Sequence, residues 1–268
     1  MNWNLIRKTI SDRWRGTAVY AGGLVAYVLM LTALFPSVQK VGTFKKAYLK
    51  DLPEGLIKFF NLQKFDATSF DSYMTLQFLG LLWVIVLAAF AISFARNMVA
   101  GEIQDGTLEL LLAQPIARWN VLLSEGAVLL GGIVGLVATT VVSTFAFGAA
   151  FGVKLSYSGY LAFLPLGIAL AAAIAGYSVL LSAVMREPRR VAMAASGLTL
   201  YFYLIHFGGM YSRVLEKFDW FGIFHYYDPQ KVLSSGGVPA RDVLVLFAFA
   251  AVFFAAALLF FQRRDIAV

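Results

Sequence analysis

Six stretches of this chain are long and apolar enough to cross a bilayer as helices, and this constrains the fold more than any other feature. They lie at about 17–38, 73–97, 119–147, 159–185, 190–211 and 242–262. A spanning helix needs roughly 20 mostly apolar residues, because in hydrocarbon only a helix or a closed barrel satisfies its own backbone polar groups. Charged residues make up only 14% of the chain, against about 25% in soluble domains. The expected fold is therefore an all-α integral membrane protein with one transmembrane domain over residues 1–268. The segments between the runs are too short for a soluble domain of useful size.

The remaining composition removes several functions. The chain has no cysteine, which excludes disulfides and thiol chemistry. Two histidines without cysteines argue against a zinc centre. The net charge of +7 does not sit as a basic run on a soluble domain, so no nucleic acid is expected. In a membrane protein such residues mark cytoplasmic flanks and contacts with anionic headgroups of the lipid bilayer. Residues 1–16, "MNWNLIRKTISDRWRG", interleave Trp3, Leu5, Ile6, Ile10 and Trp14 with four basic residues. This reads as an amphipathic helix in the membrane interface, not as a cleavable signal with a basic start and an apolar core.

An even number of spans puts both termini on one side. Lysine and arginine divide equally, eleven to each side, but ten of the twelve arginines lie on the side of the termini, clustered in short segments such as "REPRR". Short loops and span ends weigh most in the positive-inside rule, so both termini are expected in the cytoplasm of a cell with the chain in its inner membrane. Two longer segments then face outward. In residues 39–72, "LPEGLIKFFNL" suits a short amphipathic helix. Residues 212–242, rich in aromatics and then in turn residues, suit a re-entrant broken helix pair, which survives only where protein buries its backbone.

Residues 101–119, "GEIQDGTLELLLAQPIARW", form a polar interruption on the cytoplasmic side. A short helix over about 105–114 fits them. Asp105 or Thr107 can cap its start, and early acidic residues suit the helix dipole. Gln114 before Pro115 ends it. Leu108, Leu111 and Leu112 share one side, away from Glu109. Two turns are marginal alone in water, so this helix must dock, either on its own spans or on a soluble partner.

"NMVAGEIQDGTLELLLAQPIARW" resembles the signature of ABC-2-type exporter permeases. In that family an acidic residue, a Gly-Thr pair, a Glu-Leu-Leu run and a Pro-hydrophobic-x-Arg follow the second span. Glu102, Gly106, Thr107, Glu109, Leu110, Leu111, Pro115, Ile116 and Arg118 stand at that spacing. "FHYYDPQKVLSSG" before the last span and "FQRRDIAV" near the end add weaker support. The resemblance implies that residues 105–114 are a coupling helix seated in a cleft of a cytoplasmic ABC ATPase subunit. Glu102, Asp105 and Glu109 would pair with basic residues there, and Arg118 with a carboxylate there or back with one of these three, with Leu111 and Leu112 as apolar anchors. It further implies a homodimer of permeases with two ATPase copies, ATP and magnesium residing in those partners. No G-x-x-x-x-G-K-[ST] loop occurs in this sequence, so no catalytic, cofactor or metal residues are expected here. The resemblance suggests export of an amphipathic substrate such as a lipid, drug or peptide; ion extrusion or metal-site maturation are served by some relatives.

Other residues invite roles of their own. Glu125 lies about two turns into the third span, where a carboxylate is costly, unless that helix projects from the bilayer. Gly131-x-x-x-Gly135 and Ala172-x-x-x-Gly176 have the spacing of close helix contacts. Tyr201, Tyr203 and His206 sit in "LYFYLIHF" and are candidates for a pathway lining, with Tyr226 and Tyr227, followed by Asp228 and Pro229, as candidates for an outer gate. Nothing near His206 in sequence completes a metal site. The alternative, an ATP-independent secondary transporter, would show inverted repeats and midplane charges; this sequence shows no clear repeat and one carboxylate of ambiguous depth, Glu125. An intramembrane enzyme would need converging polar groups, and His206 with Ser196 lie about 15 Å apart along one helix.

Overall fold

The computed structural model describes residues 3–48, 69–104, 106, 118–209 and 213–263. Every regular element among them is helical. Six helices are long and apolar enough to span a membrane: Trp3–Gln39, Leu82–Gln104, Trp119–Ala150, Tyr157–Val184, Pro188–Gly209 and Ala240–Arg263. The chain is thus an all-α membrane protein, as the periodicity of its apolar runs requires.

The first helix, α1 (Trp3–Tyr48), runs through the amphipathic start and the first span without a break. Nothing in "DRWRGTAVY" stops it: Gly16 has open space around it, and Thr17 returns its hydroxyl to the Arg13 carbonyl at 3.1 Å. Leu5 and Ile6 are buried within the protein, while Trp3, Ile10 and Trp14 remain exposed. The outer amphipathic helix expected within 39–72 lies outside the described residues, apart from the last turns of α1.

The second apolar run does not form one helix from residue 73. A short helix α2 (Phe70–Met74) leads into a wide π-type turn at Thr75–Leu79, and α3 (Leu82–Arg96) begins after a break at Gly80–Leu81. The Gly80 N–H donates to the Thr75 carbonyl at 2.8 Å. A Cβ at residue 80 would stand 3.0 Å from that oxygen, so the wide turn depends on glycine. A second π-type turn, Asn97–Gly101, and a final turn at Glu102–Gln104 end the segment.

Then follow α4 (Arg118–Ala150), α5 (Tyr157–Val184), α6 (Pro188–Gly209), α7 (Arg213–Asp219), a 3-10 turn at Ile223–Tyr226, α8 (Pro229–Ser235) and α9 (Ala240–Arg263). Central α5 packs against α3, α4, α6, α8 and α9, while α1 lies along α4. Small residues make this possible. A Cβ on Gly176 would meet the Ala250 backbone oxygen at 2.9 Å, and one on Gly167 would meet the Trp83 ring at 2.7 Å. Within the chain, Gly131 and Gly135 make no close helix contact among the described residues: a Cβ on either meets nothing within 4 Å. Both instead line an apolar groove of about 590 Å³ between α1 and α4. The close approach is made by the neighbouring Gly132, whose Cβ would strike Phe90 at 2.6 Å.

Candidate functional site

The expected coupling segment is approached from two ends. On one side, the π-type turn at Asn97–Gly101 is fixed to α5: the Ser182 hydroxyl accepts from the Val99 and Ala100 N–H groups at 3.3 and 3.2 Å. A π-type turn interrupts the regular ladder of helix hydrogen bonds, and this serine occupies donors buried within it. Glu102 is half-buried. Gly106 then adopts φ +69° and donates its N–H to the Ile103 carbonyl at 3.2 Å, a left-handed stop of the kind that favours glycine at a helix end. On the other side, helix α4 restarts at Arg118. Asp105, Thr107, Glu109, Leu111, Leu112 and Pro115 lie outside the described residues, as does the Arg118 side chain.

Charges gather behind these anchors. The Glu125 side chain is buried at the start of α4, in the electrostatic field of Glu102, Arg13 and Lys8. The Arg13 guanidinium lies 4.8 Å over the Phe94 ring, which joins α1 to the end of α3 by a cation–π contact. The carboxylate singled out in the third span is thus buried within electrostatic reach of charges on α1 and of Glu102.

At the other end of the bundle, the 3-10 turn and α8 are inserted among the spans. Ile223, Phe224, Tyr227, Val232 and Leu233 are buried. The Tyr227 hydroxyl donates to the Leu79 carbonyl at 2.8 Å, an oxygen beside the break at Gly80–Leu81. Its ring stacks on Trp83 with centroids 6.3 Å apart, and the Trp83 indole N–H donates to Thr140 at 3.0 Å. Burial pushes the Tyr227 phenol well above its ordinary pKa, so it acts as a neutral donor. Tyr226 reaches the Trp220 carbonyl at 2.9 Å, and Tyr203 meets Phe224 edge-to-face at 5.4 Å.

Four of the five aromatic and histidine candidates thus surround one segment, residues 219–227. Tyr201 is the exception and stays exposed. Sequence reasoning also missed the partners of His206: the Asp219 carboxylate lies within hydrogen-bond distance of both His206 Nδ1 at 3.0 Å and His225 Nδ1 at 2.7 Å, and accepts from each ring that carries its proton on Nδ1. No periodicity links these three residues, because a bend between helices brings them together. Among the described residues no cluster is spaced to hold a metal ion.

Close by, Asp71 accepts the Ser156 N–H through both oxygens, at 3.2 and 3.4 Å, while Ser156 caps α5 by accepting from Gly159 N–H at 3.2 Å. Burial raises the Asp71 carboxyl above its usual value, against the lowering effect of that backbone bond.

A helical chain with six helices able to span a membrane, and a polar interruption after the second, matches the family model described as ABC-2 family transporter protein over residues 3–266. The chain belongs to that family. It is a membrane permease of an ABC transporter, a multi-pass transmembrane subunit of the kind that works with a separate ATPase. No curated protein is similar enough in sequence to add a further relative. In this permease, the fixed turn at Asn97–Gly101 and the left-handed Gly106 define where the polar segment leaves the bundle.

Proposed function

We propose that this permease exports an amphipathic substrate, such as a lipid, drug or peptide, from the cytoplasm or inner leaflet, driven by cytoplasmic ATPase subunits that dock on residues 105–114. Two permease copies pair, both termini of each lie in the cytoplasm of the inner membrane, and each copy engages one ATPase that carries ATP and magnesium. Glu102, Asp105, Gly106, Thr107, Glu109, Pro115 and Arg118 set the shape and charge of the docking element, and Leu111 and Leu112 anchor it. Tyr203, His206, Tyr226 and Tyr227 belong to the closure of the opposite end, with Tyr201 on the surface beside it.

The observation that carries this reading is the fixing of the turn that leads into the polar segment. Its entry is bonded to α5 through Ser182 and its exit begins the long helix α4, so a push on it reaches two spans directly. Charge pairing at such a surface sets register more than affinity, whereas loss of a buried apolar anchor costs affinity outright. Co-purification with a P-loop ATPase, followed by transport assays in proteoliposomes, tests it. Glu109→Lys or Leu111→Asp is expected to cut transport about tenfold or more while the permease remains folded. Full transport by both variants overturns the coupling assignment. Since the chain has no native cysteine, a single cysteine at residue 109 also reports its side of the membrane, and labelling from outside the cell contradicts the proposed topology.

A further inference from the structure

Both histidines of this chain turn their Nδ1 atoms toward one carboxylate. His206 belongs to α6, Asp219 ends α7, and His225 lies in the following 3-10 turn. Asp219 therefore joins three successive elements, at 3.0 Å to one ring and 2.7 Å to the other. Its side chain is 15% exposed, against 27% for His206 and 44% for His225, so the carboxylate is the shielded member and the rings cover it. We propose that this cluster is a proton-controlled latch, with Asp219 as the positioning residue that holds residues 213–226 against the end of α6.

The chemistry follows from the groups present. A neutral imidazole with its proton on Nδ1 donates one ordinary hydrogen bond to a carboxylate. An imidazolium donates a charge-assisted one, roughly twice as strong. Histidine is the side chain whose charge ordinarily changes between about pH 5 and 8. Lower pH therefore tightens the grip on Asp219, and higher pH leaves a carboxylate held by two neutral rings. The first proton also cancels the charge of the shielded carboxylate.

The elements packed around the cluster carry charges of their own. On them lie Arg213, Glu216 and Lys217 of α7, Tyr203 of α6 and Tyr226 of the 3-10 turn, with Arg241 and Asp242 in the first turn of α9. Lys217, Arg241 and Asp242 form no ion pair with the cluster among the described residues. Helix α5, which also touches the 3-10 turn, carries no charged side chain. Around the latch the contacts are apolar or aromatic: Tyr203 on Phe224 and the His225 ring against Tyr226 at 4.9 Å. These contacts do not change with pH near neutrality, so the response is assigned to the three-residue cluster.

The absence of native cysteine permits a direct test on the full chain in nanodiscs, with no ATPase present. Spin labels at two exposed positions, Leu200 of α6 and Phe218 of α7, report the separation of the two elements by pulsed electron resonance. We expect one narrow distance near pH 5 and a second, longer population near pH 8, with the closed-to-open ratio falling about tenfold. Asp219→Asn should show the longer population at both pH values. His225→Gln, at the more exposed ring, should keep the fold and roughly halve the response. Identical distances in the native chain at both pH values overturn the latch, as does a pH response that survives in Asp219→Asn. If Asp219→Asn does not fold, His225→Gln decides: an undiminished response in it overturns the proposal. Because no transport is measured, failure here leaves the permease reading standing.

Discussion

Helices α5 and α9 both carry long apolar stretches, yet they occupy opposite environments. The most apolar window of α9 has a mean hydropathy of 2.9 and is 17% buried within the protein; that of α5 has 2.0 and is 72% buried. The greasier helix is the more exposed one. Leu244, Val252, Leu259 and Phe260 of α9 face outward, while Ala169, Ala171, Ala173 and Gly176 of α5 are packed inside. In water this would be inverted. In lipid, burying a leucine against protein gains little over burying it in acyl chains, and association is driven by close packing of small residues and by polar contacts. The comparison teaches that size, not hydropathy, selects the central helix of this bundle.

The comparison can be broken most severely at the contact between these two helices. Gly176→Leu would drive a side chain into the Ala250 backbone, where a Cβ alone already stands 2.9 Å from the oxygen. We expect a loss of about 3 kcal/mol or more, read as a lower thermal midpoint and aggregation in detergent chromatography. Leu244→Ala and Val252→Ala, on the exposed side of α9, should change stability by less than about 0.5 kcal/mol. Equal effects in the two sets would refute the packing argument.

A smaller effect is expected where polar contacts hold α5 and its neighbours. Tyr227→Phe keeps the ring against Trp83 and Phe163 but removes the hydrogen bond to the Leu79 carbonyl. An acceptor left without its partner in a buried site costs about 1–3 kcal/mol, measurable by thermal or denaturant unfolding. A midpoint equal to the native one would show that the carbonyl finds another donor.

The smallest effect concerns the cap of α5. Burial raises the Asp71 carboxyl above its unfolded value, so the folded state holds this proton more tightly than the unfolded chain does. That contribution is fully present below the unfolded pKa and is lost as pH rises through the raised one. Asp71→Asn keeps an oxygen for the Ser156 N–H and removes the titration. The midpoint of the native protein, relative to Asp71→Asn, should fall between about pH 4 and pH 7 by roughly 2 °C or less. A rise over that interval would mean that the backbone bond outweighs desolvation.

How much of this was legible depended on the kind of physics involved. Span number and approximate limits were legible because the requirement for about 20 apolar residues acts locally. The break inside 73–97 was not, since Gly80 within an apolar run gives the same hydropathy as an unbroken helix. The left-handed stop at Gly106 was not read from the Gly-Thr pair, which counted only as part of the family signature, and the anchoring of the preceding turn by Ser182 joins residues far apart in the chain. His206 was noticed, yet its partners Asp219 and His225 follow no helical period and meet across a bend. Gly131 and Gly135 had the right spacing for a close contact, but neighbouring Gly132 makes it, because the rotation of α4 is set by what surrounds it.

The sequence by itself determined that this chain has six helices long and apolar enough to cross a membrane, and it carried the signature of an ABC-2 permease, because both rest on runs of residues read in order. The tertiary structure decided which span lies at the centre, where the second span changes pitch, and which polar groups meet at the end opposite the termini. Those choices depend on side-chain size and on hydrogen-bond partners from other helices, and in a solvent as apolar as the helices themselves hydropathy does not rank one arrangement above another.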